Sequence, residues 1–202
     1  NLGALGESWS GTARGVKNFV FMAIGTGIGA GIFINGHLYH GSDWAAGEIG
    51  YLAVPGTEQT RLAIHRPGPL ESMIGGKGIE RMWLEMPNGN KNGSHPPRKR
   101  MQATEIFDLA QSGDEQAREV LLQTARILAS AIADVSVILN TALVVLGGRV
   151  GIHPALYEAT RRILEENEVA RPQLALSSLG QEAQLFGAIW LALKTAEQRT
   201  LP

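Results

Sequence analysis

The chain has 202 residues, a formal net charge of −1 and 44% hydrophobic residues, enough to bury a core in one large domain or two small lobes. Near-neutrality gives no global pull toward nucleic acid or an acidic membrane surface, and the absence of cysteine excludes disulfides and thiolate metal sites. No apolar run reaches the ~18 residues of a membrane span and no basic-then-apolar leader opens the chain, so a cytoplasmic protein without a membrane partner is expected.

Asn1 to Gly11 carries Leu2, Leu5 and Trp9 at the spacing of a helix that buries one face and stops at glycine. Phe19–Ile24 is an apolar run of strand formers. Glycines follow on alternate positions, Gly25, Gly27, Gly29 and Gly31, before a second run, Ile32-Phe33-Ile34, and a third, His37-Leu38-Tyr39. Asn35-Gly36 between those runs predicts a hairpin, because a type I′ turn needs positive φ at both central residues. The order is strand, glycine loop, strand, tight turn, strand. Residues without a Cβ let successive backbone N–H groups converge on an anion such as phosphate, and Thr26 adds a hydroxyl. The loop lacks the Lys-Ser/Thr ending of a P-loop, and no helix follows it as a dinucleotide fingerprint requires. A glycine turn that merely packs closely is the alternative. Ala45-Ala46-Gly47-Glu48-Ile49-Gly50 then puts one carboxylate among small residues.

Pro and Gly mark a loop from Pro55 to Pro69. Leu70–Met86 has helical spacing, at least in its later half, interrupted at Gly75-Gly76. Pro87–Arg100 reads as a mobile surface loop, and its Arg98-Lys99-Arg100 ending as a solvated basic face in preference to a phosphate or nucleic-acid contact. A helix begins near Ala103, with Thr104 as a candidate cap, and breaks at Ser112-Gly113; Asp114 starts the next. From Val120 to Leu139 the apolar residues recur at helical spacing, which predicts a central helix buried on most sides, with Asp134 as a hydrogen-bonded helix aspartate. Thr141–Leu146 is a strand running into Gly147-Gly148-Arg149, a close approach of backbone either to a flat ligand or to another element. His153-Pro154 opens a helix with Leu156, Tyr157, Thr160, Ile163 and Leu164 inward. Pro172–Ser178 reads as a strand, and Gln181 starts a last helix with Ala183, Leu185, Phe186, Ala188, Ile189 and Leu193 on its buried side. Strands alternating with long helices, plus a hairpin, make the class α/β with a mixed sheet.

The segments GTGIGAG, INGHLYHG and AAGEIG resemble the ROK family of bacterial sugar kinases and transcriptional repressors. The resemblance covers nearly the whole chain and implies an actin-like ATPase (ribonuclease H-like) lobe, residues 1–202 being a single C-terminal lobe of a longer protein. It puts Gly25, Thr26, Gly27 and Gly29 at the phosphates of ATP, Gly147 and Gly148 beside the adenosine, and Glu48 and Glu71 on sugar hydroxyls. Asn1 would match the last Asn of an Asn-Asp-x-Asn segment, so the catalytic aspartate would lie two residues upstream and this chain would contain no catalytic base. Tyr51 stands where most members have histidine, and Gly68-Pro69-Leu70-Glu71 where they have Gly-Cys-Leu-Glu, so the family's zinc site is not expected. His65 is a substitute candidate at the sugar, against its reading as an exposed loop histidine. The implied ligands are ATP with Mg²⁺ and a hexose or N-acetyl-hexosamine, in a homo-oligomer. The implied function is the sugar- and ATP-binding portion of a kinase. The alternatives are the sugar-sensing domain of a repressor, contacting DNA only through a domain outside these residues, and a scaffold or dimerisation lobe.

Overall fold

The computed structural model describes residues 1–57, 66–87, 98–169 and 171–200. Strand β1 (Phe19–Ile24) is flanked on both edges: β2 (Ile28–Ile34) pairs antiparallel on one side and β4 (Leu143–Gly147) parallel on the other. β3 (His37–Tyr39) extends the β2 edge and β5 (Gln173–Leu176) the β4 edge, giving a five-stranded mixed sheet in the order β3-β2-β1-β4-β5. The β2–β3 turn is the expected one, with Asn35 at φ 55° and Gly36 at φ 82°. β2 starts four residues earlier than its apolar run suggests, so Gly29 and Gly31 are strand residues and the loop is Gly25-Thr26-Gly27 alone. The reason is α1 (Leu2–Ser10), which crosses β2 so closely that a Cβ at Gly31 would overlap that of Ala4.

Both sheet faces are covered by helices. Alternation along β1 and β4 sends Phe19, Phe21, Leu143 and Val145 toward α1, and Val20, Met22, Val144 and Leu146 into the larger core on the other face. That second face is built by α2 (Pro69–Ile74), α3 (Gly76–Glu85), α4 (Ala103–Gln111), α5 (Glu115–Leu139), α6 (Gly148–Gly151) and α7 (Pro154–Glu165). Asp114 caps α5 by accepting the Ala117 N–H at 2.8 Å, and Asn140 ends it in the left-handed region. By length and composition α5 is the one described helix able to cross a membrane, but half of its apolar window is buried, against α4 and α7 among others.

The fully buried Glu7 ties α1 to the far end of the sheet. Its carboxylate accepts the Thr12 N–H at 2.7 Å and the Ser177 hydroxyl, whose oxygen in turn accepts the Gly180 N–H at 2.8 Å. The Thr12 hydroxyl donates to Leu176 O at 2.8 Å. A carboxylate removed from water is tolerated where donors converge on it in this way.

Several sequence expectations change. Gly75 separates two helices, α2 and α3, so the whole of 69–85 is helical apart from that break. The α4 cap is Gln102, not Thr104: its side chain accepts from the backbone of Glu105, whose carboxylate accepts the Gln102 N–H at 2.7 Å. Arg98 is not a solvated cation; it lies over the Trp83 ring at 4.1 Å and donates to Gln116, while the Trp83 indole donates to Lys99 O at 3.1 Å. Lys99 and Arg100 do face solvent. α5 is buried along one stripe only, and on its outer face Asp134 has no hydrogen-bond partner among the described residues. The remainder of the 87–100 loop, residues 88–97, lies outside the described residues, as does His65.

The largest departure is α8 (Ala183–Thr200). Of its six expected inward residues only Ala183 is buried, whereas Leu185 is 58% and Leu193 51% exposed. α8 packs against α1 through glycine: a Cβ at Gly187 would overlap Leu2 O, and one at Gly6 would overlap Ala183 O. Two backbones in contact leave the larger side chains pointing past each other. Gly187→Ala would gain about 1 kcal/mol from helix propensity at a free site. Here it is expected to lose about 1–3 kcal/mol by overpacking, read as a lower urea midpoint at unchanged slope; a higher midpoint would contradict the crossing.

Candidate functional site

The site grows from the C-terminal end of β1. The loop Gly25-Thr26-Gly27 is closed by the Gly25 N–H donating to Gly27 O at 2.9 Å. The α2–α3 junction clasps it from behind. The Gly76 N–H donates to Gly25 O at 2.8 Å, and Glu71, on α2, accepts the Ile28 N–H on Oε2 at 2.9 Å. This clasp explains two glycines. A Cβ on Gly27 would lie 2.6 Å from Glu71 Oε2, and one on Gly75 3.0 Å from Thr26 O.

Gly25 and Gly29 differ: a Cβ on either would meet nothing within 4 Å, and neither has positive φ. Packing does not require glycine there. Both face a cavity of about 370 Å³, walled by Asn1, Thr26, Gly27, Glu48, Gly148 and Gln184. Glu48 reaches that wall because Gly47, at φ 90°, docks on the β2 edge: the Ala30 N–H donates to Gly47 O at 2.7 Å, and a Cβ at Gly47 would overlap Ala30 O. Glu48 is exposed, at the start of a single 3₁₀ turn, Ile49–Tyr51.

A second cavity, of about 460 Å³, shares Gly25 and Thr26 with the first and lies between α3, α4 and α6. Lys77, Arg100 and Arg149 line it beside Gln102, Glu80 and Glu105. Lys77 pairs with Glu80 at 3.1 Å and Arg149 donates to Gln102. The glycine loop is therefore the partition between a chamber with one carboxylate and a chamber with three cations and two carboxylates.

Of the residues singled out in the sequence, Gly25, Thr26, Gly27, Gly29, Glu48 and Gly148 come together on one cavity wall. Gly148 has φ 75°, and a Cβ there would sit 2.5 Å from Ile24 O. Gly147 is turned away: its missing Cβ faces the Phe21 ring, so packing accounts for it. Glu71 does not line either cavity; it stands behind the loop, its Cβ 3.3 Å from where a Gly50 side chain would begin. Lys77 and Gln102 carried no sequence signal, because only the α2–α3 and α4 packing brings them to the loop. Among the described residues no three His, Cys, Asp or Glu side chains converge as metal ligands.

A family model described as "ROK family" matches residues 1–195. The glucokinase of Halalkalibacterium halodurans is 31% identical over 202 residues, an alignment covering 95% of this chain and 61% of that enzyme. The crystal structure of the ROK hexokinase from Thermus thermophilus aligns with a TM-score of 0.75 at 31% identity, covering 96% of this chain and 64% of that one. A ROK family transcriptional regulator, a homologue of the E. coli MLC protein, aligns with a TM-score of 0.69 at 25% identity over 93% of this chain and 48% of that one. The fold is the actin-like ATPase one shared with these sugar kinases, and the chain spans less than two thirds of the glucokinase and the hexokinase.

The clasp generates a test of its own. Loss of a hydrogen bond to a charged acceptor costs about 1.5–3 kcal/mol. Glu71→Ala should therefore speed amide exchange at Ile28 by about ten- to a hundredfold, whereas Glu71→Gln, which keeps an acceptor oxygen, should stay within about threefold of wild type. Equal protection in the alanine variant would show that the carboxylate does not hold the loop.

Proposed function

The chain belongs to the ROK family, and we propose that it is the sugar- and ATP-binding portion of a cytoplasmic sugar kinase that phosphorylates a hexose or N-acetyl-hexosamine. The observation that carries this reading is the pair of glycines, Gly25 and Gly29, that packing does not demand. Glycine at such positions lets a ligand approach the backbone itself, and the loop they border separates a chamber with a single carboxylate and no cationic side chain from one where three cations outnumber two carboxylates. The cationic chamber fits a polyphosphate: Lys77, Arg100 and Arg149 offer charge, Thr26 a hydroxyl, and the loop its N–H groups. Mg²⁺ would arrive with the phosphates of ATP. The other chamber suits a polyol, with Glu48 accepting hydrogen bonds from sugar hydroxyls. Gly148 lines the sugar chamber, and the next residue, Arg149, lines the other.

Such chemistry is mainly positioning and electrostatic stabilisation. A sugar hydroxyl oxygen forms a bond to the terminal phosphorus of ATP as the bond to ADP breaks, and the hydroxyl proton passes to a carboxylate. The family resemblance puts that carboxylate two residues before Asn1. Asn1 is on the wall of the sugar chamber, so a residue two positions away would be within about 7 Å of it. Glu71 lines neither chamber and enters this reading through the loop it positions, its Oε2 accepting the Ile28 N–H.

The second reading, a sugar-sensing domain of a regulator, is favoured by the ROK regulator that aligns over most of this chain. Sensing sugar alone requires nothing of the cavity lined by Lys77, Arg100 and Arg149, and the two readings separate on whether Mg-ATP binds. In the full-length protein, saturating sugar and saturating Mg-ATP should each raise the melting temperature, since a ligand at a hundredfold its Kd adds about 2.7 kcal/mol. Glu48→Ala should lose the sugar shift and keep the Mg-ATP shift; an intact sugar shift would remove Glu48 from the site. Gly25→Ala should leave the ligand-free melting temperature unchanged and lose the Mg-ATP shift. A sugar shift with no Mg-ATP shift in the wild type would favour the regulator.

A further inference from the structure

The stretch that enters α4 is tied down by one side chain of α5. Gln116, in the first turn of α5, uses its amide in both senses: Oε1 accepts from the Arg98 guanidinium, and Nε2 donates to Pro87 O at 2.6 Å. Pro87 lies just past the end of α3, and Arg98 lies on the approach to α4. Trp83, buried near the end of α3, holds the same approach. Arg98 lies over its ring at 4.1 Å, and its indole donates to Lys99 O at 3.1 Å.

Packing alone does not call for an arginine here. Arg98 Nε is buried and has no hydrogen-bond partner among the described residues, and a buried N–H left bare is destabilising. A methionine at 98 would cover the Trp83 ring without that penalty. What the guanidinium adds is a planar stack joined to the Gln116 bond, which together fix the course of the backbone that follows. Arg100 is two residues on, within about 7 Å along the chain. Lys99 is held through its carbonyl and Met101 packs against the core, and Arg100 between them lines the cavity with Lys77 and Arg149. The other charges there are engaged: Lys77 with Glu80, Arg149 with Gln102, and Glu105 with the Gln102 N–H. Arg100 is exposed, and its guanidinium has no partner among the described residues.

We infer that Arg98, gripped by Trp83 and Gln116, is a positioning residue for phosphate binding: it holds the approach to α4 so that Arg100, the uncommitted cation of the chamber, meets the phosphates of the donor. Trp83, Arg98 and Gln116 line neither chamber, so the clamp acts only through the residue it places. This role rests on the cationic chamber being the ATP site.

The test is calorimetric titration of the full-length protein with Mg-ATP. Arg100→Gln should raise the dissociation constant about tenfold or more, the loss of one charge-assisted phosphate contact. Arg98→Met and Gln116→Leu should each raise it about fivefold or more, because the same contact is misplaced. In the Arg100→Gln background, Arg98→Met should add less than about twofold, since the residue it positions is gone. Gln116→Glu still accepts from Arg98 and should stay within about threefold of wild type. Unchanged circular dichroism would show that the variants fold. If Arg100→Gln weakens Mg-ATP binding while Arg98→Met does not, or if the two losses simply add, the clamp is overturned and the ATP reading stands. A wild type that binds no Mg-ATP would overturn both.

Discussion

Every part of the candidate site hangs from the C-terminal end of one strand, β1, paired on both edges. Its antiparallel neighbour returns through Gly25-Thr26-Gly27 and its parallel neighbour ends at Gly147-Gly148, so a hairpin loop and a helix start are forced to the same edge of the sheet. In open α/β sheets ligands bind beyond the carboxyl ends of the strands because connections diverge there and leave a crevice. Here the divergence is unequal. One connection turns back at once as β2 and the other enters α6, so the crevice is split by the loop into two chambers. Loosening the β1–β4 pairing would disperse the loop, Gly148 and Arg149 together.

The glycines of this region serve different physical ends. Gly31 admits α1, Gly47 admits the β2 edge, Gly27 admits the Glu71 carboxylate, and Gly147 admits the Phe21 ring. These are consequences of close packing and would be needed in a protein that bound nothing. Gly25 and Gly29 have no such neighbour. An alternating run of glycines thus mixes positions that packing demands with positions that it does not, and the distinction lies in what surrounds each missing Cβ.

That distinction also marks what the sequence could reveal. The Asn35-Gly36 turn was legible because its cause is local: two adjacent residues tolerate positive φ. The Asp114 cap was legible for the same reason. α8 was misread because periodicity shows that a helix has an apolar side without showing what covers it; α1 touches α8 through Gly6 and Gly187, and Leu185 and Leu193 stay outside. Arg98 was misread because its partner Trp83 lies fifteen residues earlier on another element. Thr104 lost the cap to Gln102 because a reciprocal bond with Glu105 outweighs the single hydroxyl. Glu48 was found through a family resemblance, and its position on the wall follows from Gly47, whose docking on β2 is a tertiary fact.

The departure at Tyr51 and Gly68 bears on how Glu71 is held. In the family this chain resembles, a histidine and three cysteines bind zinc between the glutamate segment and the second carboxylate. This sequence has no cysteine, yet the same two segments meet through their backbones. A Cβ at Gly68 would overlap Gly50 O and lie 2.6 Å from the Tyr51 Cα, and the Leu70 N–H donates to Leu52 O at 3.2 Å. Pro69 at the first position of α2 fixes φ where no helix N–H is needed. Direct main-chain contact thus delivers Glu71 to Ile28 at hydrogen-bond distance. What the loop needs from this segment is a placed carboxylate, and the Gly68-Pro69 turn pressed against Tyr51 places it.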